Sequence, residues 1–139
     1  MKLVLADAGP LVALFNPRDR FHAWARARFD ELTEPLLTCE AVLAETLFLA
    51  AKVPGACARI LALWHRDLLR LTFSAQQEKT ALQRLLTKYA DLPISLADAC
   101  LIRMSEIHSD SLVWTVDRHF SIYRRHGRQV VPVLMPELR

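Results

Sequence analysis

The chain has 139 residues, the usual size of one domain, so we expect a single domain over residues 1–139. Apolar residues make up 53% of the sequence and charged residues 24%, which excludes a disordered chain. A net charge of +3 without a run of like charges excludes a basic nucleic-acid-binding tail, and the three glycines form neither common nucleotide-binding loop, so no nucleotide cofactor is expected.

Short apolar runs alternate with helical patterns along the whole chain. Apolar runs at 3–6, 36–38, 68–73, 112–116 and 130–134 predict buried strands. Helical spacing predicts helices over 9–15, 21–32, 40–52, 56–66, 95–108 and 120–125, and a capping-box pattern at 74–77 predicts the start of another, which extends to about 89. This alternation predicts an α/β fold with a mostly parallel sheet, helices on both faces, and an active site at the carboxyl ends of the strands.

The cysteines and the hydropathy pattern bear on the cellular compartment. The three cysteines form no C-x-x-C pair, which is typical of free thiols in a reducing compartment. No apolar run reaches the roughly 18 residues that a membrane-spanning helix needs. We therefore expect a soluble cytoplasmic protein that makes no membrane contact.

Four acidic side chains stand among apolar residues, unlike most of the fifteen acids. Asp7 directly follows the first predicted strand and Asp117 follows the fourth, so both fall at strand carboxyl ends. Asp98 lies in the first turn of the helix predicted over 95–108. Glu45 lies in an apolar helix, on a face that we expect to be buried, and no Lys or Arg within one helical turn offsets the cost of burying its charge.

Each of these acids also has a purely structural interpretation. Asp7 suits the N-cap of the helix that follows it, and Asp98 stands three residues after Ser95, as in a capping box. Asp117 is suited to begin a turn, and Glu45 is suited to form an ion pair with an arginine that is distant in the sequence. Four such features together are less expected than one shared site, which favours a functional cluster.

Clustered carboxylates repel one another and raise each other's pKa values unless cations lie between them. Mg²⁺ and Mn²⁺ prefer oxygen ligands, whereas the five histidines form no pair with zinc-site spacing. A bound divalent ion also activates water and offsets the repulsion between acids and a phosphodiester. The residues therefore indicate metal-dependent hydrolysis of phosphodiester bonds.

The four acids stand in motifs that resemble those of PIN domains. The resemblance extends from Lys2 to about residue 134 and is greatest to the small VapC-type toxins of toxin–antitoxin pairs. Ala8 departs from the pattern, because Thr or Ser is frequent at that position. The motifs are Asp7-Ala8-Gly9-Pro10-Leu11, the helical Glu45, Ser95-Leu96-Ala97-Asp98-Ala99 and Thr115-Val116-Asp117-Arg118-His119-Phe120.

The resemblance implies a PIN-like fold with a central, mostly parallel five-stranded sheet between helices, in three layers. It implies an endoribonuclease that uses one or two Mg²⁺ or Mn²⁺ ions on single-stranded or structured RNA and leaves 5′-phosphate and 3′-hydroxyl ends. Asp7, Asp98 and Asp117 match metal ligands, and Glu45 matches the fourth acid, which helps to hold a metal or to orient the water. Thr115 matches a hydroxyl that supports the acids. The resemblance also implies a homodimer and a small VapB-type antitoxin partner.

Basic and aromatic side chains are candidates for partner contacts. Arg118, Arg124 and Arg125 follow the last motif and are candidates for contacts with the RNA backbone, although a solvated surface is the simpler interpretation of any one of them. The aromatic residues of the second predicted helix suit either the core or a groove for an antitoxin segment. These residues are Phe21, Trp24 and Phe29.

Three other functions stay open at this point. A PIN nuclease that acts in RNA processing, outside a toxin–antitoxin pair, has the same motifs. A catalytically silent PIN-like module that binds RNA or protein usually lacks at least one of the acids. An aspartyl phosphatase of the haloacid dehalogenase type fits Asp7, but Gly9 stands where its second Asp is expected.

Overall fold

The computed structural model describes residues 2–137 of the chain. Within them, the strands form a five-stranded sheet and a separate two-stranded ribbon. In chain order the strands are β1 (Leu3–Ala6), β2 (Leu36–Thr38), β3 (Leu69–Leu71), β4 (Ser111–Trp114), β5 (Arg124–Arg125), β6 (Gln129–Val130) and β7 (Val133–Leu134). The sheet has the order β3-β2-β1-β4-β7, and β5 pairs with β6.

Every neighbouring pair in the five-stranded sheet is parallel, which confirms the predicted sheet. β1 is the central strand, with Leu5 opposite Leu37 of β2 on one side and Val113 of β4 on the other. Leu5 and Val113 are fully buried. Because parallel strands end at the same edge of a sheet, the residues that follow β1 and β4 are neighbours in space.

Six α-helices surround the sheet in the described part of the chain and complete a three-layer α/β fold. The first begins directly after β1, because the carboxylate of Asp7 accepts a hydrogen bond from the Ala8 backbone N–H. The helices are α1 (Ala8–Phe15), α2 (His22–Asp30), α3 (Glu40–Ala50), α4 (Ala56–His65), α5 (Lys79–Lys88) and α6 (Leu96–Ile107).

The predicted helix over 120–125 is wrong. A single 3₁₀ turn, Arg118–Ser121, is followed by the antiparallel ribbon of β5 and β6. The chain reverses between those strands at His126 and Gly127, whose φ angles are 50° and 82°, values that end a helix. Of the predicted strand over 130–134, only Val133–Leu134 joins the main sheet.

The predicted capping box at 74–77 does not begin a helix. The Ser74 hydroxyl does accept a hydrogen bond from the Gln77 backbone N–H, but it closes a turn, and α5 begins only at Lys79. A local Ser side-chain bond stabilises a turn as well as a helix start, so the pattern alone did not distinguish the two.

Both faces of the sheet are buried by helix side chains. Trp114, Tyr123 and Phe120 are among the largest fully buried side chains, so the segment after β4 is part of the core. All three cysteines are free: Cys39 and Cys100 are buried, and Cys57 is half-buried. In the part of the chain that the structure describes, none of the helices has the length and apolar character that a membrane span requires.

Candidate metal-dependent hydrolytic site

The carboxyl ends of the central strands bring together acids that are far apart in the sequence. Asp7 ends β1 and Asp117 follows β4, the strand that pairs with β1 along its whole length. Asp98 lies in the first turn of α6, and Glu45 lies in α3. The charges of Asp98 and Glu45 act on Asp7, and that of Asp117 acts on Asp98 and Glu45, so the four predicted acids lie near one edge of the sheet.

Thr115 connects the first and last of these acids. Its hydroxyl donates to Asp7 Oδ2 at 2.6 Å and accepts from the Asp117 backbone N–H at 3.0 Å. Thr115 is fully buried, so the bridge is protected from competing water. Asp7 Oδ1 accepts in turn from the Ala8 backbone N–H at 2.8 Å, so both oxygens of this buried carboxylate are held in place.

Asp98 is held by a capping box and by a tyrosine. Its backbone N–H donates to the Ser95 hydroxyl at 3.0 Å, and its Oδ2 accepts from the Ser95 backbone N–H at 3.2 Å. The Tyr123 hydroxyl donates to the same Oδ2 at 3.2 Å. The capping interpretation of Asp98 is thus correct, and it coexists with the location of Asp98 beside the other acids.

Asp117 is held at the start of the 3₁₀ turn. Its Oδ1 accepts from the His119 backbone N–H at 2.9 Å and lies 2.8 Å from the His119 ring Nδ1. About 37% of the Asp117 side chain is exposed, whereas Asp7 is 6% exposed. The edge therefore has a buried side at Asp7 and an open side at Asp117.

Glu45 is exposed, so its predicted place on a buried face is wrong. The buried residues of α3 are Val42, Leu43, Thr46 and Ala50. Glu45 lies beside that stripe rather than on it, because one residue advances a helix by about 100°. The correction makes the cost of burying this charge smaller than the sequence implied and leaves the carboxylate largely open to solvent.

The pKa values of the acids show that they act on one another. Burial above all, together with the charges of Asp98 and Glu45, raises the pKa of Asp7 to about 6, although the hydrogen bonds from Thr115 and Ala8 lower it. Desolvation and the charge of Asp117 raise the pKa of Asp98. Desolvation also raises the pKa of Glu45, and the charges of Asp98 and Asp117 add to this effect. All four acids thus belong to one repelling cluster.

The four side chains of the cluster suit a hard divalent cation, because all of them are carboxylates. A cation between them offsets their mutual repulsion. Among residues 2–137, no three His, Cys, Asp or Glu side chains already converge as a finished ligand set. Mg²⁺ sites commonly use one or two carboxylates and several waters, so such a convergence is not required. The residues present therefore fit Mg²⁺ or Mn²⁺.

The three arginines predicted to contact RNA are tied to backbone carbonyls. Arg118 donates to the Pro136 carbonyl at 3.0 Å, and Arg125 donates to the Ser105 carbonyl at 2.8 Å. Arg124 donates to the carbonyls of residues 121–123. These bonds hold the segment after β4 on the protein. A role of the three arginines in RNA binding stays a prediction.

The sequence reasoning missed Tyr123 and the close approach at Gly9. No local pattern marks Tyr123 as a partner of Asp98, because the contact spans 25 residues. A side chain at Gly9 would place its Cβ 2.5 Å from Val116 Cγ2. The dipeptide Gly9-Pro10 signals a helix start, but it does not show that the segment after β4 passes so close.

Comparison with known proteins places the chain in one family. Ribonuclease VapC26 of Mycobacterium tuberculosis is 30% identical to the chain over 131 residues, which cover 89% of this chain and 94% of the relative. The crystal structure of Mycobacterium tuberculosis VapC20, described as a sarcin-ricin loop cleaving toxin, matches with a TM-score of 0.74 at 21% identity and covers 86% of this chain and 93% of VapC20. The PIN domain profile matches residues 4–125, and the protein therefore belongs to the PIN-domain family.

Proposed function

We propose that the protein is a divalent-metal-dependent endoribonuclease that hydrolyses phosphodiester bonds in RNA. The observation that carries the proposal is the gathering of Asp7, Glu45, Asp98 and Asp117 at one strand edge, where the neighbouring charges help to raise the pKa values of the first three. A relative with 30% identity over most of the chain is named as a ribonuclease, which supports RNA as the substrate.

Asp7, Asp98 and Asp117 would hold the Mg²⁺ or Mn²⁺ ions of the site, one or two in number, and Glu45 would complete the set. When bound, such an ion supplies charge neutralisation and Lewis acidity toward the phosphodiester. This chemistry explains why a cluster that repels RNA by itself is compatible with an RNA substrate.

The protein's own groups fix the positions of the carboxylates. The Thr115 hydroxyl donates to the Asp7 carboxylate and accepts from the Asp117 backbone N–H. Asp98 is held by hydrogen bonds from the Ser95 backbone N–H and the Tyr123 hydroxyl. These bonds pre-arrange the oxygens, so little reorganisation is needed when charge develops in the transition state. Glu45 is the exposed acid, and its Oε atoms are available to orient the attacking water.

We also propose that the protein is the toxin of a VapBC-type pair, acting in the cytoplasm as a homodimer with a small VapB-type antitoxin as its inhibitor. The likeness to VapC26 supports the pairing. Phe48 of α3 is 80% exposed, and Leu49 and Leu96 are 47% and 48% exposed. Large apolar side chains with this much exposure favour a protein interface on the α3 side of the molecule.

An RNA cleavage assay tests the proposed activity. Purified protein is incubated with end-labelled single-stranded RNAs and a tRNA in Mn²⁺, Mg²⁺ or EDTA, beside Asp98→Asn and the matched variant Asp110→Asn. Asp110 is an exposed acid at the opposite end of β4. We expect metal-dependent cleavage by the wild type and Asp110→Asn, none by Asp98→Asn, and 5′-phosphate products. A 2′,3′-cyclic phosphate product contradicts hydrolysis by water, and equal behaviour of all three proteins contradicts the site.

A further inference from the structure

A cavity of about 440 Å³ lies between α5, α6 and the ribbon of β5 and β6. That volume is in the range of small-molecule sites and suits a nucleotide-sized ligand. None of the four clustered acids lines it. Its ionisable lining side chains are Arg84, Lys88, Arg103, Glu106, Arg124 and His126.

One of these cations is already neutralised by the protein. Arg103 forms ion pairs with Glu78 at 3.3 Å and with Glu106 at 3.0 Å. These three side chains are less than one-third exposed, so the pairs are partly shielded from solvent. The group formed by Arg103 and its two carboxylate partners carries a net charge of −1, which the three remaining cations outweigh.

Three further cations face the cavity without a carboxylate partner. Lys88 Nζ donates to the Gly127 carbonyl at 2.9 Å, and Arg124 donates to the carbonyls of residues 121–123. Arg84 is exposed and makes no hydrogen bond or ion pair with any residue of the described range 2–137. Neutral carbonyls do not cancel positive charge, so the surroundings of the cavity retain a net positive charge.

Bonds to backbone carbonyls give Lys88 and Arg124 a role in the fold, but no contact within residues 2–137 accounts for Arg84 beside them. Arg84 and Lys88 are four residues apart on α5, a spacing at which like charges repel each other and weaken a helix. Uncompensated guanidinium and ammonium groups around a concave surface are the arrangement that binds phosphate, because their N–H donors match its oxygens.

The cavity is connected to the acid edge through two elements. α6 carries Asp98 in its first turn and Arg103 five residues later, a rise of about 7.5 Å along the helix axis. Tyr123, which hydrogen-bonds to Asp98, directly precedes Arg124, whose backbone N–H donates to the Tyr89 hydroxyl at 2.8 Å. A strand bound at the acid edge is thus within a few nucleotides of the cavity.

We propose that this cavity is a second substrate site, which binds a nucleotide of the RNA strand through its phosphate, a few nucleotides from the bond cut at the acid edge. This inference rests on the proposed ribonuclease function and names a part of its substrate contact. Arg84, Lys88 and Arg124 are the phosphate-binding residues. The site contributes to RNA affinity and leaves the chemical step to the acids.

A binding experiment tests the proposal without turnover. The full chain carrying Asp98→Asn is titrated into fluorescently labelled single-stranded RNA, and anisotropy is recorded over a series of salt concentrations. Arg84→Gln is compared with Arg66→Gln, a matched removal of an exposed arginine in the turn between α4 and β3. We expect Arg84→Gln to weaken binding about fivefold at low salt and to reduce the salt-dependence slope by about one, as the loss of one phosphate contact does. Arg66→Gln should match the parent.

Cleavage kinetics and free phosphate separate the remaining outcomes. In the otherwise wild-type chain, Arg84→Gln should raise KM for a long RNA and leave kcat unchanged, while Arg66→Gln changes neither. If Arg84→Gln abolishes calorimetric binding of inorganic phosphate but leaves RNA binding unchanged, the cavity holds a free anion and the RNA proposal is overturned. If the wild type cuts RNA and the two glutamine variants behave alike, only the cavity proposal fails. If the wild type neither binds nor cuts RNA, both proposals fail.

Discussion

At the scale of single residues, the acids of the cluster have structural and chemical roles at the same time. Asp7 caps α1 and Asp98 belongs to the capping box of α6, so each carboxylate accepts hydrogen bonds from backbone N–H groups at a helix start. Those bonds orient the carboxylates toward the shared edge and favour their charged forms, while burial and mutual repulsion oppose ionisation. The two interpretations that the sequence left open for these residues are therefore both compatible with the structure.

Replacing Tyr123 with phenylalanine should slow cleavage without weakening RNA binding. The change removes the hydrogen bond to Asp98 Oδ2, and a hydrogen bond to a charged group contributes about 1.5–3 kcal/mol, so we expect kcat to fall by about tenfold or more. Tyr89→Phe is the matched control, because that hydroxyl accepts from the Arg124 backbone N–H rather than contacting an acid. Steady-state kinetics with a labelled RNA measure both, and an equal loss of kcat in the two variants would contradict a positioning role for Tyr123.

The metal-free protein should lose stability as the pH rises from about 4 to 7. Burial raises the pKa of Asp7 from 3.8 to about 6, so the folded state binds this proton more tightly than the unfolded chain. The resulting stabilisation is complete below about pH 4 and is lost as the pH rises through 6, a change of about 3 kcal/mol for this residue.

Asp7→Asn should remove that pH dependence, because the amide keeps an acceptor for the Ala8 N–H and has no charge to desolvate. In EDTA at pH 7.5 we expect the variant to unfold at higher denaturant concentration than the wild type, although it does not cleave RNA. Urea unfolding at pH 4.5 and pH 7.5 measures the difference. A variant that is less stable than the wild type at pH 7.5 would show that the Asp7 charge is well accommodated without metal.

At the scale of elements, α1 lies close against the segment that follows β4. Gly9 is in the first turn of α1, and Val116 stands between Thr115 and Asp117. A Cβ at residue 9 would lie 2.5 Å from Val116 Cγ2, which real structures do not tolerate without a shift. The absence of a side chain at Gly9 thus lets the two acid-bearing segments approach.

Gly9→Ala should therefore destabilise the protein and reduce cleavage. In an unhindered helix the change is favourable by about 1 kcal/mol, whereas the steric conflict here costs about 1–3 kcal/mol and displaces the segment that bears Asp117. Adding Val116→Ala removes the conflicting methyl group and should restore activity relative to the single variant. Thermal unfolding and cleavage rates of the two single variants and the double variant test this, and a double variant no better than Gly9→Ala would place the cause elsewhere.

The elements that the sequence predicted correctly are those with a strong local signal. The buried runs that became β1, β2 and β4 and the apolar stripes of α3 and α6 are encoded within their own residues. The ribbon of β5 and β6 was missed because its strands have two residues each and depend on Arg125 and Lys88, which bond to distant carbonyls. Such tertiary bonds override weak local preference.

At the scale of the whole molecule, the parallel sheet brings together acids that are far apart in the sequence. The sequence predicted the meeting of Asp7 and Asp117, because both follow strands of the same sheet. It predicted Glu45 as a member of the cluster but not its exposure, since Glu45 lies beside the buried stripe of α3 rather than on it. The contact of Tyr123 with Asp98 and the basic cavity arise only when α5, α6 and the ribbon pack together.

The measurement that tests the central claim most directly is a calorimetric titration of Mn²⁺ into the metal-free protein. If the four carboxylates form one cation site, the wild type binds one or two ions, and Asp7→Asn and Asp98→Asn each weaken binding at least about tenfold, equal to about 1.4 kcal/mol. Asp110→Asn should bind as the wild type does. Equal Mn²⁺ affinity in all four proteins would contradict the account, because the clustered acids would then not be the residues that hold the metal.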